Sequence, residues 1–485
     1  MNEAHTEFTN DLNTLSDDDW RIIERLVFNL QKRIYKAVQT GKLGKAKSLT
    51  RLLYIGSSAA ILLAIRQVTQ DAQEQSRLAN KLIEYSSSRD WRGYKAHPIK
   101  TNYIIIKNGE KRPLAVPSLD DKVIQHLVKF ALEPYYEAQF EPSNFGFRPG
   151  MSVHDATNSI FQSLSEKPKW VLGARIEGFF DNLDHDFFLN CLNDKWWKRL
   201  FKRWLKAGYM DNKHLEPTST PQDGIISPLI ANIVLDGMER YLKAEIENAS
   251  TLKVIRYSCD ILVIHEDNQI ILQCQELLKK WLGDRGLTQV NTQVVQSTKG
   301  FDFLTYNIQF YAERRINAHY KRQLISQGKY KKEFLNIRPS ASAIKKHRDA
   351  IREVFDKMKA APQEALIRRL NPIIRAWTHE YRHVTSRETF SKLDYWLWEK
   401  LWKWSKRRHP NKGSGWVKAK YFTKTQRKSS DFITDKQRIQ WYCMVKTSPY
   451  QNPLAGKSYY ELEYSPFSFA PQRSAHRADT RVFPT

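Results

Sequence analysis

Residues 253–264 read KVIRYSCDILVI, and this stretch decides how the middle of the chain is interpreted. Two β-branched runs flank a short polar segment, a pattern typical of strands joined at a turn. A third apolar run at 170–172 precedes ARIEGFFD at 174–181. Residues 103–114 indicate a hairpin with Asn108-Gly109 at its turn. Such strands between predicted helices, from about 100 to 310, predict an α+β domain.

Helical periodicity dominates on both sides of this region. Near the N-terminus, after acidic cap candidates at 17–19, apolar residues recur at helical spacing: Ile22, Leu26, Leu30, Ile34 and Val38. A second helix is predicted over 45–68. After about 320 the strand signals fade, and helices are predicted over 344–358, 363–377 and 390–404.

The charge balance indicates the class of partner. A formal net charge of +26 predicts a polyanion. Nucleic acid is favoured over a membrane because no basic amphipathic helix with a clean apolar face stands out. The longest apolar stretches, such as 59–65, are far shorter than a membrane span.

The cysteines and the N-terminus bear on the cellular compartment. The four cysteines form no C-x-x-C pair, so they suggest neither a disulfide framework nor a zinc site: Cys191, Cys259, Cys274 and Cys443. The N-terminus has neither a signal-peptide nor a transit-peptide pattern. We therefore expect the protein to work where it is made, in a bacterial cytoplasm or in the stroma or matrix of an organelle, with a plastid favoured in a eukaryote.

Several short motifs follow one another along the chain in a defined order. They are KRPLAVP at 111–117, FGFRPG at 145–150, PQDGIISPL at 221–229, GFDFL at 300–304 and LNPIIRAW at 370–377. In this order, and over roughly residues 17–425, the chain resembles the group II intron-encoded reverse transcriptase/maturase family. The resemblance implies an α+β right-hand reverse transcriptase fold, with fingers and palm, followed by an α-helical thumb and maturase domain.

The resemblance also implies a division into four regions. These are an N-terminal helical fingers extension (1–95), fingers and palm (96–315), a helical thumb and maturase domain (316–430) and a C-terminal tail (431–485). No Cys pairs and no His-Asn-His motif occur in the last region, so we expect no endonuclease domain there.

The polymerase metal site implied by the family is altered. Three carboxylates are implied, where this chain has Arg175, Cys259 and Asp260. Two-metal chemistry needs such carboxylates to hold Mg²⁺ ions close together. A guanidinium repels Mg²⁺ and a thiol is too soft a ligand for it, which leaves Asp260 alone as a weak candidate ligand. A shift of the metal to Glu177 would displace it by ~6 Å from the reacting groups, so we expect no intact catalytic site.

The basic residues suited to RNA contact are retained better than the metal-binding acids. At family-like positions the chain has Arg112, Arg148, Arg368, Arg369, Arg375 and Arg382. A second group is interleaved with aromatic residues: Lys403, Lys406, Arg407, Arg408, Lys418 and Lys420. Trp398 and Trp402, four residues apart on a predicted helix, favour core packing over base stacking.

Together these features predict an RNA-binding maturase that assists splicing of a group II intron and has no polymerase activity. The expected partner is structured RNA, above all intron RNA; a homodimer is compatible with the sequence, and no membrane is expected. No tightly bound cofactor is expected: Mg²⁺ would come with the RNA, and would bind at the palm only if polymerase activity survived. Two alternatives stay open, an active RNA-directed DNA polymerase of a mobile intron, whose primer extension would be lost on Glu177→Gln, and a general structured-RNA-binding protein.

Overall fold

The computed structural model describes eleven stretches of the chain: 15–87, 94–97, 99–105, 111–207, 209–211, 214–216, 224–247, 249–311, 333–423, 431–454 and 456–463. These stretches fall into two compact units. Unit 1 draws on Met1–Ala156, Leu172–Gln293 and Pro453–Thr485, and unit 2 on Thr157–Val171 and Val294–Asn452.

Unit 1 begins with helices: α1 (Asp17–Gln39), α2 (Leu43–Gly56), α3 (Ser58–Val68), α4 (Ala72–Ser87) and α5 (Leu119–Glu137). Ser16 caps α1 in a reciprocal capping box with Asp19, and the acidic first turn complements the helix dipole. The buried face of α1 carries Ile23 and Val27, whereas the predicted Ile22 and Leu26 are exposed. The predicted periodicity was therefore wrong by one position in the first turns of this helix.

The helix predicted over 45–68 is two helices. Ser57 ends α2 and caps α3, since the amide of Ala60 donates to its hydroxyl over 3.2 Å. The pair α2 and α3 is bent by 61° at this point. Among the described residues no single helix has the length and apolar composition to cross a membrane; only this bent pair meets those two criteria, and only when its two helices are taken together.

The next strands form two sheets: β1 (Ile99–Ile105), β2 (Lys111–Val116), β3 (Trp170–Ile176), β4 (Tyr209–Asp211), β5 (His214–Glu216), β6 (Lys253–Tyr257), β7 (Asp260–His265) and β8 (Val290–Gln296). One sheet has the order β2-β1-β4-β5 and the other the order β6-β7-β3-β8. Strands β1 and β2 pair antiparallel as the predicted hairpin requires, and its turn at Asn108-Gly109 lies outside the described residues. The buried run in β7 fits an interior strand.

Between these strands lie short helices: α6 (Val153–Leu164), α7 (Phe179–Asn182), α8 (His185–Cys191), α9 (Lys195–Ala207), α10 (Ser227–Val234), α11 (Met238–Glu245) and α12 (Asn268–Gly283). Helix α12 contacts β7 and α11. The alternation of helices with two four-stranded sheets is the α+β architecture that the sequence predicted.

Unit 2 combines a small sheet with long helices: β9 (Phe301–Phe303), β10 (Tyr306–Tyr311), β11 (Phe334–Pro339), α13 (Ala341–Lys357), α14 (Gln363–Tyr381), α15 (Arg387–Arg408), α16 (Ser414–Tyr421), β12 (Phe422–Thr423) and β13 (Asp431–Phe432). Strand β11 pairs with β10, so the predicted loss of strands after 320 is corrected. The same sheet groups β9 and β10 with β11 in unit 2, and the predicted domain boundary at 315 stays a prediction.

The predicted tail from 431 contains ordered structure that belongs to both units. Strand β13 pairs with β12 in unit 2. In unit 1 the 3₁₀ turn Tyr459–Glu461 packs on α1, where Tyr460 forms a buried cluster with Phe28 and Tyr35.

Candidate functional site

The polar segment between β6 and β7 is a two-residue turn. Tyr257 pairs with Asp260 across it. Strand β3 lies beside β7, and the amide of Ile176 donates to the carbonyl of Cys259 over 3.1 Å. This bond draws the end of β3, which carries Arg175, against the turn. The three positions at which the family resemblance implies metal-binding acids therefore lie together.

Gly146 fits directly beneath this turn. A Cβ at position 146 would lie 2.2 Å from the amide nitrogen of Ser258, whose φ is +58°. The amide of Phe145 donates to the carbonyl of Arg256 over 2.8 Å. The buried Arg256 donates to Asn232 over 3.0 Å, and Asn232 donates to the Gly146 carbonyl over 2.9 Å. A buried polar network thus fixes the turn. Because the fixed turn leaves no room for a Cβ at position 146, the segment FGFRPG needs its first glycine.

The charges at this site oppose a divalent cation. The Nη1 atom of Arg175 lies 3.8 Å from Oδ1 of Asp260. Burial raises the pKa of Asp260, and the Arg175 guanidinium opposes that rise. Cys259 is buried, and burial raises the pKa of its thiol to about 11, so it stays protonated at neutral pH. A guanidinium ~4 Å from Mg²⁺ costs about 2 kcal/mol even at the dielectric constant of water. The donor set therefore does not fit the two-metal site that the fold family implies.

Glu177 is turned to another partner. Its carboxylate accepts a hydrogen bond from Nδ2 of Asn291 over 2.5 Å, and its amide donates to the carbonyl of Gln289 over 2.9 Å. Within the described part of the chain, no group of three or more His, Cys, Asp or Glu side chains is arranged to hold a metal ion. A metal site relocated to Glu177 would thus have to recruit ligands beyond those placed around it.

Helix α14 of unit 2 presents exposed arginines. Arg368, Arg369 and Arg375 are exposed, while Leu370 and Ile374 are buried. Arg368 and Arg375 are seven residues apart and so share one helix face. An exposed face of this kind suits contact with successive phosphates.

Helices α15 and α16 carry the second basic group. The predicted residues that are exposed there are Lys403, Lys406, Arg407, Lys418 and Lys420. Trp416 is 41% exposed, and the Nζ atoms of Lys412 and Lys420 lie 5.6 and 4.9 Å from its ring centre. An open aromatic ring flanked by cations can stack a base and neutralise its phosphate.

The tryptophans of α15 divide into two kinds. Trp396 and Trp404 are buried, and Nε1 of Trp404 donates to the carbonyl of Met358 over 2.9 Å. Trp398 and Trp402 are half-buried and stack with ring centres 5.8 Å apart and planes 7° apart. Because they leave part of each ring uncovered, these two combine packing with a partly accessible aromatic surface.

Three predicted RNA-binding arginines have partners within the protein. Arg148 is buried and donates to both carboxylate oxygens of Glu137, over 2.9 and 2.7 Å, which removes it from the surface. The prediction for Arg148 is therefore corrected: it stabilises the fold. Arg408 donates to the carbonyl of Ala361 over 2.5 Å, and Arg382 donates to His383 over 3.1 Å; both are half-buried. Arg112 lies in β2, and its side chain is outside the described part of the structure.

The sequence reasoning missed helix α9. This helix carries six cations in thirteen residues and no acidic residue, with a buried face of Leu200, Phe201, Trp204 and Leu205. It is the basic amphipathic helix that the sequence analysis did not find. The buried part of its apolar face packs within unit 1, where Nε1 of Trp204 donates to the hydroxyl of Tyr94 over 2.7 Å.

Comparison with known protein families accounts for most of the chain. Three family models match: the N-terminal domain of reverse transcriptase over residues 16–87, the reverse transcriptase (RNA-dependent DNA polymerase) over 100–308, and the group II intron maturase-specific domain over 344–422. Together they define a protein with a reverse transcriptase fold and a maturase-specific domain.

Several curated proteins are similar to it. The group II intron-encoded protein LtrA of Lactococcus lactis is 38% identical over 156 residues, which are 31% of this chain and 26% of LtrA. Protein YkfC of Escherichia coli is 32% identical over 31% of this chain and 42% of its own length. Maturase-like protein 1 of Euglena gracilis is 28% identical over 60% of this chain and 64% of its own length. This chain belongs to the group II intron reverse transcriptase/maturase family. The segment that it shares with LtrA spans about a quarter of the length of LtrA.

Proposed function

We propose that this protein is a maturase that binds structured group II intron RNA and stabilises its splicing-competent fold, without acting as a polymerase. The observation that carries the proposal is the 3.8 Å contact between Arg175 and Asp260, which puts a cation where the family needs metal-binding acids. Most of the predicted cations of α14, α15 and α16 are exposed, namely Arg368, Arg369, Arg375, Lys403, Lys406, Arg407, Lys418 and Lys420. The proposal thus separates a lost chemical site from a retained binding surface.

Such a protein needs no chemical step of its own. The intron RNA performs transesterification, and the protein contributes by binding the active RNA conformation more tightly than its alternatives. Moving an RNA from 1% to 99% active requires a preference of about 5.5 kcal/mol. Each phosphate contact contributes to this preference only where the folded RNA brings phosphates to that cation. The exposed arginines of α14 and the lysines of α15 and α16 are the residues that we expect to make these contacts.

The first experiment identifies the RNA partner. The protein is purified from its native cells after mild crosslinking, and the bound RNA is sequenced. We expect enrichment of one or a few unspliced introns. A diffuse profile of unrelated transcripts would refute the maturase proposal and favour a general RNA-binding protein.

A second experiment tests the binding surface with matched charge. The variant Arg368→Gln/Arg369→Gln/Arg375→Gln removes three exposed cations from α14. The control Lys253→Gln/Lys279→Gln/Lys280→Gln removes three exposed cations from unit 1. We expect the first variant to weaken binding of the enriched intron strongly and the control to weaken it slightly. Equal losses would show that only net charge matters.

Primer extension on an RNA template separates the maturase from an active polymerase. We expect none from the wild-type protein with Mg²⁺ or Mn²⁺. Extension that disappears on Glu177→Gln would establish a relocated metal site and overturn this part of the proposal. Mg²⁺ would then enter as the polymerase's cofactor, whereas in our proposal it belongs to the RNA.

A further inference from the structure

Unit 1 contains a cavity of about 420 Å³ that none of the functions above uses. Its walls come from α2, α5 and the start of α9. This volume falls within the range of about 300–1,000 Å³ that is typical of ligand pockets. Neither Arg175 nor Asp260 lines it.

One wall of the cavity is a cluster of three aromatic rings. Tyr54 is buried, with its ring centre 4.6 Å from that of Trp196 and 5.3 Å from that of Trp197. The two tryptophan rings are 4.5 Å apart and nearly perpendicular. Since the rings already hold one another in place, a ligand that stacks on them need not order them first.

The rim of the cavity is basic. Lys47, Arg51 and Arg199 line it and are exposed, and among the residues that the structure describes none of the three forms an ion pair. The acid of the lining, Asp194, is engaged as a helix cap, where it accepts from the amide of Trp196 over 2.8 Å. A ligand is therefore met by an aromatic wall and by cations that are available to an anion.

We propose that this cavity binds one unstacked nucleotide of a single-stranded RNA segment, an inference that rests on the proposed function of RNA binding. The base stacks on Trp197, and the flanking phosphates contact Arg51 and Arg199. A duplex does not fit this chemistry, because its bases are stacked on one another and cannot enter a concave site. An acidic peptide would use the cations but leave the aromatic wall without a matching π-surface.

Photocrosslinking gives a direct test. A short single-stranded RNA carrying 5-iodouridine is irradiated with the full-length protein, and the crosslinked peptide is identified by mass spectrometry. We expect the crosslink at Trp196 or Trp197. Crosslinks confined to other parts of the chain would overturn the proposal.

Matched variants test the two halves of the site. Trp197→Leu should weaken single-strand binding about fivefold or more, and Trp197→Phe should restore most of it, because stacking needs a ring rather than apolar volume. Arg51→Gln/Arg199→Gln should lower the slope of log affinity against log salt by about two, because about two phosphate contacts are lost. The control Lys202→Gln/Lys206→Gln removes two exposed cations of α9 that do not line the cavity, and should have a smaller effect.

The outcomes distinguish this proposal from the maturase proposal. Equal binding of a duplex with the same number of phosphates, equal binding of a polyglutamate peptide, or equal effects of the two glutamine pairs would overturn the nucleotide site. None of these results concerns the exposed cations of α14, whose variant is tested on intron RNA. Thermal unfolding of Trp197→Leu and Trp197→Phe checks that both fold, and the surface substitutions test the site independently of its packing.

Discussion

Restoring acids to the palm site should restore metal binding. Arg175, Cys259 and Asp260 now carry charges of +1, 0 and −1 at neutral pH. The variant Arg175→Asp/Cys259→Asp would carry −3 when fully ionised, a change of three charge units. Each unit charge ~4 Å from Mn²⁺ corresponds to about 2 kcal/mol at the dielectric constant of water, or about 6 kcal/mol in total before desolvation and salt screening. Even half of this would make binding more than about 100-fold tighter.

Thermal unfolding with and without MnCl₂ measures this gain. A metal at 100 times its Kd stabilises a protein by about 2.7 kcal/mol, so the double variant should gain Tm on titration and the wild-type protein should not. Without metal, the new carboxylate at the buried position 259 should have a raised pKa. Its contribution to stability would then be present at low pH and lost as pH rises through that pKa, so the metal-free variant should be least stable at high pH.

The matched control is Arg175→Asn/Cys259→Asn, which has nearly the same shape and a site charge of −1 in place of −3. Its Mn²⁺-dependent rise in Tm should be much smaller than that of the Asp variant. The reasoning would be refuted if the wild-type protein bound Mn²⁺ at this site, as shown by a Tm rise abolished by Asp260→Asn. It would equally be refuted if the folded Arg175→Asp/Cys259→Asp variant gained no stability from the metal.

Three further predictions concern single residues. Gly146→Ala places a Cβ 2.2 Å from the amide of Ser258, so it should lower the free energy of unfolding by about 3 kcal/mol or more, measured by urea denaturation. Arg148→Met leaves Glu137 buried without its guanidinium partner and should cost about 3–5 kcal/mol. Burial already raises the pKa of Glu137 and Arg148 opposes the rise, so this variant should become relatively more stable on acidification, as measured by unfolding across pH; a pH-independent difference would contradict the assignment. Arg375→Gln should lower the slope of log affinity for intron RNA against log salt by about one, and an unchanged slope would remove it from the interface.

The strand pattern and the motif order were enough to predict the class of fold, whereas the assignment of Arg175, Cys259 and Asp260 to an altered palm site stays a prediction. KVIRYSCDILVI predicts a pair of strands because its apolar runs are β-branched, and the structure pairs Tyr257 with Asp260 as expected of such a turn. The sequence could not show that Arg175 would lie 3.8 Å from Asp260, because that distance depends on β3 lying beside β7. Strand order is a tertiary property that local patterns do not contain.

The partners of individual side chains were harder to predict from the sequence than the secondary structure was. An arginine in a basic chain indicates a phosphate contact equally well whether it faces solvent or a buried carboxylate. For Arg148, only the structure distinguishes the two cases, because it places the carboxylate of Glu137, eleven residues earlier in the chain, next to the guanidinium. Helix α9 was missed for a related reason: its apolar face is short and rich in tryptophan, so the cations dominate its composition.

The contact between Tyr460 and α1 sets the order in which the protein can complete its fold during synthesis. Lys32 donates to the carbonyl of Leu462 over 2.6 Å, across 430 residues of chain. At about 5–20 residues per second a ribosome needs roughly 20–90 s to make that length. Throughout this time Phe28 and Tyr35 of the newly made α1 lack the ring that later covers them. Helix α1 is thus fully buried only after the segment that contains Tyr460 has been made, and chaperones can act on its uncovered face during that interval.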